Sequence, residues 1–302
     1  MKLVAALNKP QYALRPIQTI RRVWQSFDQN PSLAVAVRLP WGHIITVNPN
    51  EDIGRLIRKQ GMYDLVITEA LWRLVGEGER VLDVGANIGY TTSLMAARAG
   101  EQGEVLSFEP HPELIEELAA NVKSFSSAEN SARITIHRFA VSDSDGESEL
   151  VTSDYFNVNR GTAKIESTAP TDEKVIHSHV VQVRRLDTVL DPEKAIQVMK
   201  IDIEGHEMPA FEGMGKWLTE RRVRDIVFEE HQPYPAATHR FLESCGYTVF
   251  CLEESFWGLR LKPASEPCFR RYYDTPSYLA TCEPKRALEI FSSRGWQSFR
   301  GI

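Results

Sequence analysis

The stretch Val81-Leu82-Asp83-Val84-Gly85-Ala86-Asn87-Ile88-Gly89-Tyr90 limits the folds open to this chain more than any other. The apolar run Arg80–Val84 predicts a short buried strand, a glycine-bearing turn ends it, and Tyr90–Ala99 predicts a helix. That order sets backbone N–H groups at a helix start beside a tight loop, where an anionic or polar ligand group can sit. Gly85 and Gly89 permit close backbone approach, and Asp83 can accept hydrogen bonds from a bound molecule. A second acid, Glu109, closes the next apolar run, 105–108. It follows the last loop glycine by about 20 residues, where a doubly wound fold holds ribose hydroxyls.

The glycine spacing is not that of a dinucleotide fingerprint, because Asn87 occupies the second glycine position and Tyr90 the third. An NAD-dependent oxidoreductase is therefore the disfavoured alternative. The net charge of −6 gives no electrostatic case for nucleic-acid binding. No run approaches the ~18 consecutive apolar residues of a spanning helix. Cys245, Cys251, Cys268 and Cys282 include no Cys-x-x-Cys pair and read as reduced thiols of a cytoplasmic protein.

Lys2, Lys9, Arg15, Arg21 and Arg22 precede the first carboxylate, Asp28, a composition shared with transit peptides. The preferred account is structural. Pro16 suits a first helical turn, and Ile17, Ile20, Val23/Trp24 and Phe27 recur at helical spacing. This stripe can pack on the main domain or on a second subunit, which leaves a homo-oligomer open. Too few cations accompany it to argue for a membrane surface.

Segments 33–39 and 43–47 predict a hairpin around Pro40-Trp41-Gly42, followed by a short helix over 52–59. Gly61-Met62-Tyr63-Asp64 opens a longer helix, and this preamble forms a lid or wall over the cofactor end of the first strand. Tyr63 there is either a cofactor contact or a core tyrosine. Pro110 and Pro112 start a further helix, and 134–139 is the third strand. Ser142 and Asp143 follow it, open to two readings: neighbours of a base, or part of a polar turn. The polar segment 153–174 between two strands is long enough to fold over substrate.

The second chemically dense stretch is Ile201-Asp202-Ile203-Glu204-Gly205-His206-Glu207, where an apolar strand delivers four ionisable groups into a glycine turn. Strand C-termini are where open α/β sheets place their chemistry. Glu207 can also cap the next helix, and Asp202 can anchor backbone. The fifth strand, 225–230, ends in Glu229-Glu230-His231, a second carboxylate–imidazole set on the same sheet edge. Segments 247–252 and 257–261 predict the antiparallel ending of the sheet. Beyond Pro263 little periodicity remains until 285–291.

Together these motifs resemble the FkbM family of S-adenosylmethionine-dependent methyltransferases. The resemblance runs from about Gly42 to Leu261. It rests on 61–64, 81–90, Phe108-Glu109-Pro110, 140–143, Arg185-Leu186-Asp187-Thr188, 200–207 and 241–247, with Asp64 standing where the family usually shows Glu. It implies an α/β fold, a class I methyltransferase-like doubly wound and mostly parallel seven-stranded sheet, with N- and C-terminal extensions. The expected divisions are 1–60 for a helix and hairpin extension, 61–262 for the cofactor-binding domain and 263–302 for a C-terminal extension.

The resemblance further implies methyl transfer to a small-molecule or glycan hydroxyl, on a sugar, polyketide or related metabolite. The cofactor is S-adenosylmethionine and the product S-adenosylhomocysteine. The cofactor set is then Tyr63, Asp83, Gly85, Asn87, Gly89, Glu109, Ser142, Asp143 and Asp202. The substrate set is Glu204, Glu207 and Glu229. Asp202, His206 and His231 are the candidate catalytic residues, the histidines leading as bases because their intrinsic pKa lies near neutrality. A metal-free scheme is preferred. The alternative is a divalent cation held by Asp202, Glu229 and His231. A catalytically inactive cofactor-binding domain acting as an interaction protein is the main competitor, and the intact 202–207 cluster speaks against it.

Overall fold

The computed structural model describes residues 34–126, 128, 130–153, 156, 158–165, 175–268 and 275–299. The N-terminal stripe from Ile17 to Phe27 lies outside the described residues, as does part of the 153–174 segment. The described chain begins with β1 (Val35–Arg38) and β2 (Ile44–Val47), an antiparallel hairpin, and helices α1 (Asp52–Gln60) and α2 (Leu65–Leu74). Then come β3 (Arg80–Val84), α3 (Tyr90–Ala99), β4 (Glu104–Phe108), α4 (Pro112–Phe125) and β5 (Arg133–His137). A side excursion follows: β6 (Ala140–Val141), β7 (Gly146–Ser153), β8 (Lys164–Ile165), β9 (Val175–Arg184) and the turn α5 (Leu186–Val189). The chain returns through β10 (Ile196–Ile201), α6 (Glu207–Glu212), α7 (Gly215–Thr219), β11 (Val223–Glu229) and α8 (Ala237–Ser244). It ends in β12 (Thr248–Ser255), β13 (Gly258–Pro263), β14 (Ser277–Thr281) and α9 (Pro284–Ser292).

The main sheet has the order β13-β12-β14-β11-β10-β3-β4-β5. Strands β11, β10, β3, β4 and β5 are mutually parallel, as βαβ crossovers require, and β14 is antiparallel to both β11 and β12. Side chains alternate across the sheet: Val81 joins the core beneath α2 and α3, while Leu82 and Val84 join the core on the opposite face. The chain order reverses between β3 and β10, so their C-terminal loops, 85–89 and 202–206, border one crevice. A second sheet, β6-β9-β7-β8, stands apart from the first.

The fold is the expected α/β doubly wound architecture, with three corrections of detail. Among the described residues the sheet has eight strands rather than seven: the antiparallel β12–β13 ending is as expected, and β14 is the strand added to it. Ser277–Thr281, read from the sequence as part of a terminal extension, is instead β14, inserted between β11 and β12. All five of its residues are buried, so it has no alternating pattern to betray a strand. Finally, Cys251 and Cys268 form a disulfide, where reduced thiols were expected, and Cys245 and Cys282 are free. The β12–β13 hairpin brings the two bridged residues together across a 17-residue separation that carries no local signature.

The C-terminal residues are fastened to a fully buried ion pair within α2, Arg73 Nε to Glu69 Oε1 at 2.6 Å. Glu69 also accepts the backbone N–H groups of Gln297 and Ser298, and Arg73 donates to the carbonyls of Ser293 and Gly295. No described helix is long and apolar enough to cross a membrane.

Candidate functional site

The loop after β3 is held from both sides. Gly85 and Ala86 donate their N–H groups to Phe108 O, each at 3.0 Å, and Asp202 N donates to Val84 O at 3.2 Å. Gly85 has φ +79°, and a β-carbon there would lie 2.0 Å from Asp202 O. At Gly89, φ +92°, a β-carbon would lie 2.7 Å from Leu118 Cδ1 on α4. Both glycines thus permit the close approach expected of them, but the neighbours are Asp202 and Leu118. Asn87, also left-handed at φ +50°, donates its N–H to Glu109 Oε2 at 2.9 Å. His111 N–H donates to Glu109 Oε1 at 2.9 Å. The acid after β4 therefore fixes the loop after β3, and burial pushes its pKa to about 7 in spite of these two bonds.

Asp83 is fully buried beneath this loop and does not reach the cavity, contrary to the direct contact expected from the sequence. Its place in β3 turns the side chain under α3, where Oδ2 accepts the hydroxyls of Thr91 (2.8 Å) and Thr92 (2.6 Å). Oδ1 lies 3.7 Å from Lys200 Nζ. Lys200 donates to Gly85 O at 2.8 Å and stands 3.6 Å from Asp202 Oδ2. Burial opposes its charge, but Asp202 and Asp83, with Glu229 and Glu109, outweigh that and hold its pKa above the ordinary lysine value. Sequence reasoning passed over this lysine. Its signal was a lone cation inside the apolar run of β10.

Above the two loops is a cavity of about 1150 Å³, its open mouth included. Tyr63, Gly85, Asn87, Glu109, Asp202, Glu204 and His206, all picked out from the sequence, line it together with Asp64 and Lys200. Asp83, Gly89, Ser142, Asp143, Glu207, Glu229 and His231 are not among its walls. Ser142 acts at second hand, its hydroxyl 3.0 Å from His206 Nε2. Asp143 is exposed and bonds Ser142 and Ser144. Glu207 is turned back into its own loop, accepting Ile203 N–H at 3.0 Å. His231 is exposed, with Nδ1 3.5 Å from Thr275 Oγ1, because it lies two residues beyond the end of β11. Glu229 is half-buried, and burial, then Asp202, Asp64 and Glu204, raise its pKa. Among the described residues no three His, Cys, Asp or Glu side chains are grouped to hold a metal ion. Asp202, Glu229 and His231 therefore do not form the alternative cation site.

One wall comes from the second sheet. Leu150 and Ile165 present apolar surface, and the turn Asn159-Arg160-Gly161 crosses the cavity. Arg160 is 7% exposed and clamps this cover to the main domain, bonding Glu117 at 2.5 Å, Glu51 at 3.1 Å and Glu113 at 3.3 Å. Val158 O also accepts Asp52 N–H at 2.8 Å. Neither anchor was foreseen, since Arg160 sits in a polar tract without periodicity. On the opposite wall Tyr63 meets Tyr90 edge-on, ring centroids 6.2 Å apart. Burial, followed by the charges of Asp64, Asp202, Glu229 and Glu204, keeps the Tyr63 hydroxyl protonated.

Glu109, Glu204 and Glu207 are each raised by burial from 4.5 to about 7. Their folded-state values lie above the unfolded one. The stability they confer is thus complete below about pH 4.5 and is lost as pH rises through 7. Glu207→Gln keeps an acceptor for Ile203 N–H and removes one titrating group. The thermal midpoint of the ligand-free variant should therefore fall less between pH 5 and pH 8 than that of the wild type. Identical slopes in melting curves across this range would refute the assignment.

Residues 83–249 match the family model described as a methyltransferase FkbM domain. A hexuronic acid methyltransferase, AglP, of Haloferax volcanii is 26% identical over 186 residues, covering 62% of this chain and 69% of that protein. The structure of a methyltransferase FkbM from Methylobacillus flagellatus is 18% identical with a TM-score of 0.43, over 67% of this chain. The match spans only 43% of that longer chain. An S-adenosylmethionine-dependent O-methyltransferase from Thermotoga maritima is 15% identical over 85% of this chain and 80% of its own, with a TM-score of 0.42.

Proposed function

The chain belongs to the methyltransferase FkbM domain family, and from that premise we propose that it transfers a methyl group from S-adenosylmethionine to a hydroxyl of a sugar, polyketide or related metabolite. The observation that carries the cofactor reading is the charge imbalance at the crevice between β3 and β10. Asp64 and Asp202 line the cavity with Glu229 close behind and Lys200 set among them, while Arg160, the other cation of the walls, is paired with Glu51, Glu113 and Glu117. A ligand bearing an ammonium and a sulfonium on one end suits such a surface, because it supplies the positive charge that the raised carboxyl pKa values call for. The residues present fit the group.

When bound, S-adenosylmethionine supplies an electrophilic methyl on sulfur. Glu109 retains a free lone pair on each carboxylate oxygen beyond its two backbone donors and is suited to ribose hydroxyls. Tyr63 and Asp202 flank the acidic end of the cavity, where they would hold the amino-acid part. Lys200 stands between Asp83 and Asp202 and pairs with both while bonding Gly85 O, so it ties the two loops together. The Arg160 cover borders the cavity and would limit where an acceptor can lie. Holding two reactants in line is the larger share of such catalysis, with effective molarities of ~10⁵ M or more. The sugar-acid substrate in the name of AglP supports testing glycan hydroxyls first.

Calorimetric titration with S-adenosylmethionine, S-adenosylhomocysteine and NAD tests this reading. Micromolar binding of the two sulfur nucleotides, with no heat from NAD, is the expected result. Folded, ligand-free protein that binds neither would return the chain to the inactive-domain alternative.

A further inference from the structure

We infer that Glu204 is the general base that removes the proton from the acceptor hydroxyl, an inference that rests on the methyl-transfer reading above. Three independent features single it out. Its carboxylate lines the cavity and makes no hydrogen bond to any described residue, whereas Glu109 and Glu207 have theirs occupied by backbone N–H groups. Its backbone is left-handed at φ +54°, a strained conformation for a non-glycine residue that persists where a side chain must be aimed. It also faces the cover: a β-carbon on Gly161 would lie 3.7 Å from Glu204 Oε1, so this carboxylate and the turn of the second sheet border the same space.

The other candidates are less suited by position. His206 has Nε2 engaged with Ser142 Oγ and Nδ1 sealed in the interior, so neither nitrogen faces the cavity freely. His231 is outside the walls. Asp202 Oδ2 stands 3.6 Å from Lys200 Nζ, so its carboxylate is already engaged in an ion pair. Around Glu204 stand Asp202 and Glu207 on its own loop, Lys200 at the end of β10 and Lys164 on β8. Burial, then Asp202, raises the Glu204 pKa against the pull of Lys164, to about 7, which is where a base of moderate strength is half available at neutral pH.

In the step proposed, the hydroxyl proton passes to a Glu204 oxygen as a lone pair of the acceptor oxygen forms the O–CH₃ bond. The S–CH₃ bonding pair stays on sulfur, leaving a thioether, a methyl ether and a protonated Glu204 that returns its proton to water. Charge balances, because a sulfonium and a carboxylate become two neutral groups.

The test compares wild type, Glu204→Gln and Glu204→Asp in methyl transfer to a hydroxyl acceptor, with S-adenosylhomocysteine affinity measured alongside. Glu204→Gln should lower kcat about 10²–10⁴-fold. It should also abolish the acidic limb of the pH profile near 7 while binding S-adenosylhomocysteine much as wild type does. Glu204→Asp should recover part of the rate. Independently of turnover, the ¹³C carboxyl resonance that disappears in Glu204→Gln should titrate near pH 7 in the ligand-free protein. Wild-type kcat with the limb retained in Glu204→Gln, or titration of that resonance in the ordinary glutamate range, overturns the inference alone. Folded wild type that binds the nucleotide yet methylates no hydroxyl overturns the reading beneath it, and this inference with it.

Discussion

Replacing Asp83 by alanine is expected to cost about 3–5 kcal/mol of folding stability, the range for removing one partner of a buried charge pair. Sequence reasoning alone expects a different result, weaker cofactor binding with the fold intact, because the acid at the end of the first strand looks like a ligand contact. In the structure Asp83 is 0% exposed, and its loss removes the acceptor of the Thr91 hydroxyl, one of two partners of the Thr92 hydroxyl and a charge partner of Lys200, itself 4% exposed. Lys200 would keep Asp202 as its one close carboxylate, and that residue is partly solvated. The loop after β3 would loosen as a consequence, so cofactor affinity falls too, but through the fold. Urea unfolding measures the first effect. A destabilisation within the ±0.5 kcal/mol usual for surface positions, with affinity lost, would restore the direct-contact reading.

Gly85→Ala is the second large effect, expected at about 2–5 kcal/mol together with loss of nucleotide binding. Two costs add. The residue holds φ +79°, which alanine adopts only under strain, and the new methyl would sit 2.0 Å from Asp202 O. Neither loop can yield easily: Gly85 N–H is bonded to Phe108 O, and Asp202 N–H to Val84 O. Gly205→Ala provides the comparison. Its φ is +95°, but nothing lies within 4 Å of the position a β-carbon would take, so it should cost only about 1–2 kcal/mol. Equal destabilisation in the two variants would show that backbone conformation, and not the packing of loop 85–89 on loop 202–206, is what glycine provides at position 85.

Read from the chain alone, the elements that border the site were legible. Arg80–Val84, Tyr90–Ala99 and the strand before Asp202 announce themselves by apolar runs ending in glycine turns, and local patterns of that kind survive in any tertiary setting. Glu109, Asn87, Asp202, Glu204 and His206 could be named for the same reason, since strand C-termini fix their place on one sheet edge.

What the sequence determined by itself was therefore the doubly wound class, the family and the edge on which chemistry is placed. Tertiary structure decided which carboxylates face the cavity and which are committed to protein. Asp83 and Glu204 look equivalent in a motif, yet one is sealed under α3 by Thr91 and Thr92 and the other is turned outward by a left-handed backbone. It also decided the placing of β14, the Cys251–Cys268 bridge and the Arg160 clamp. Each of these depends on partners far away in the chain. Periodicity reports which face a residue presents to its element, while the neighbour that fills the space beyond it is set only when the elements pack.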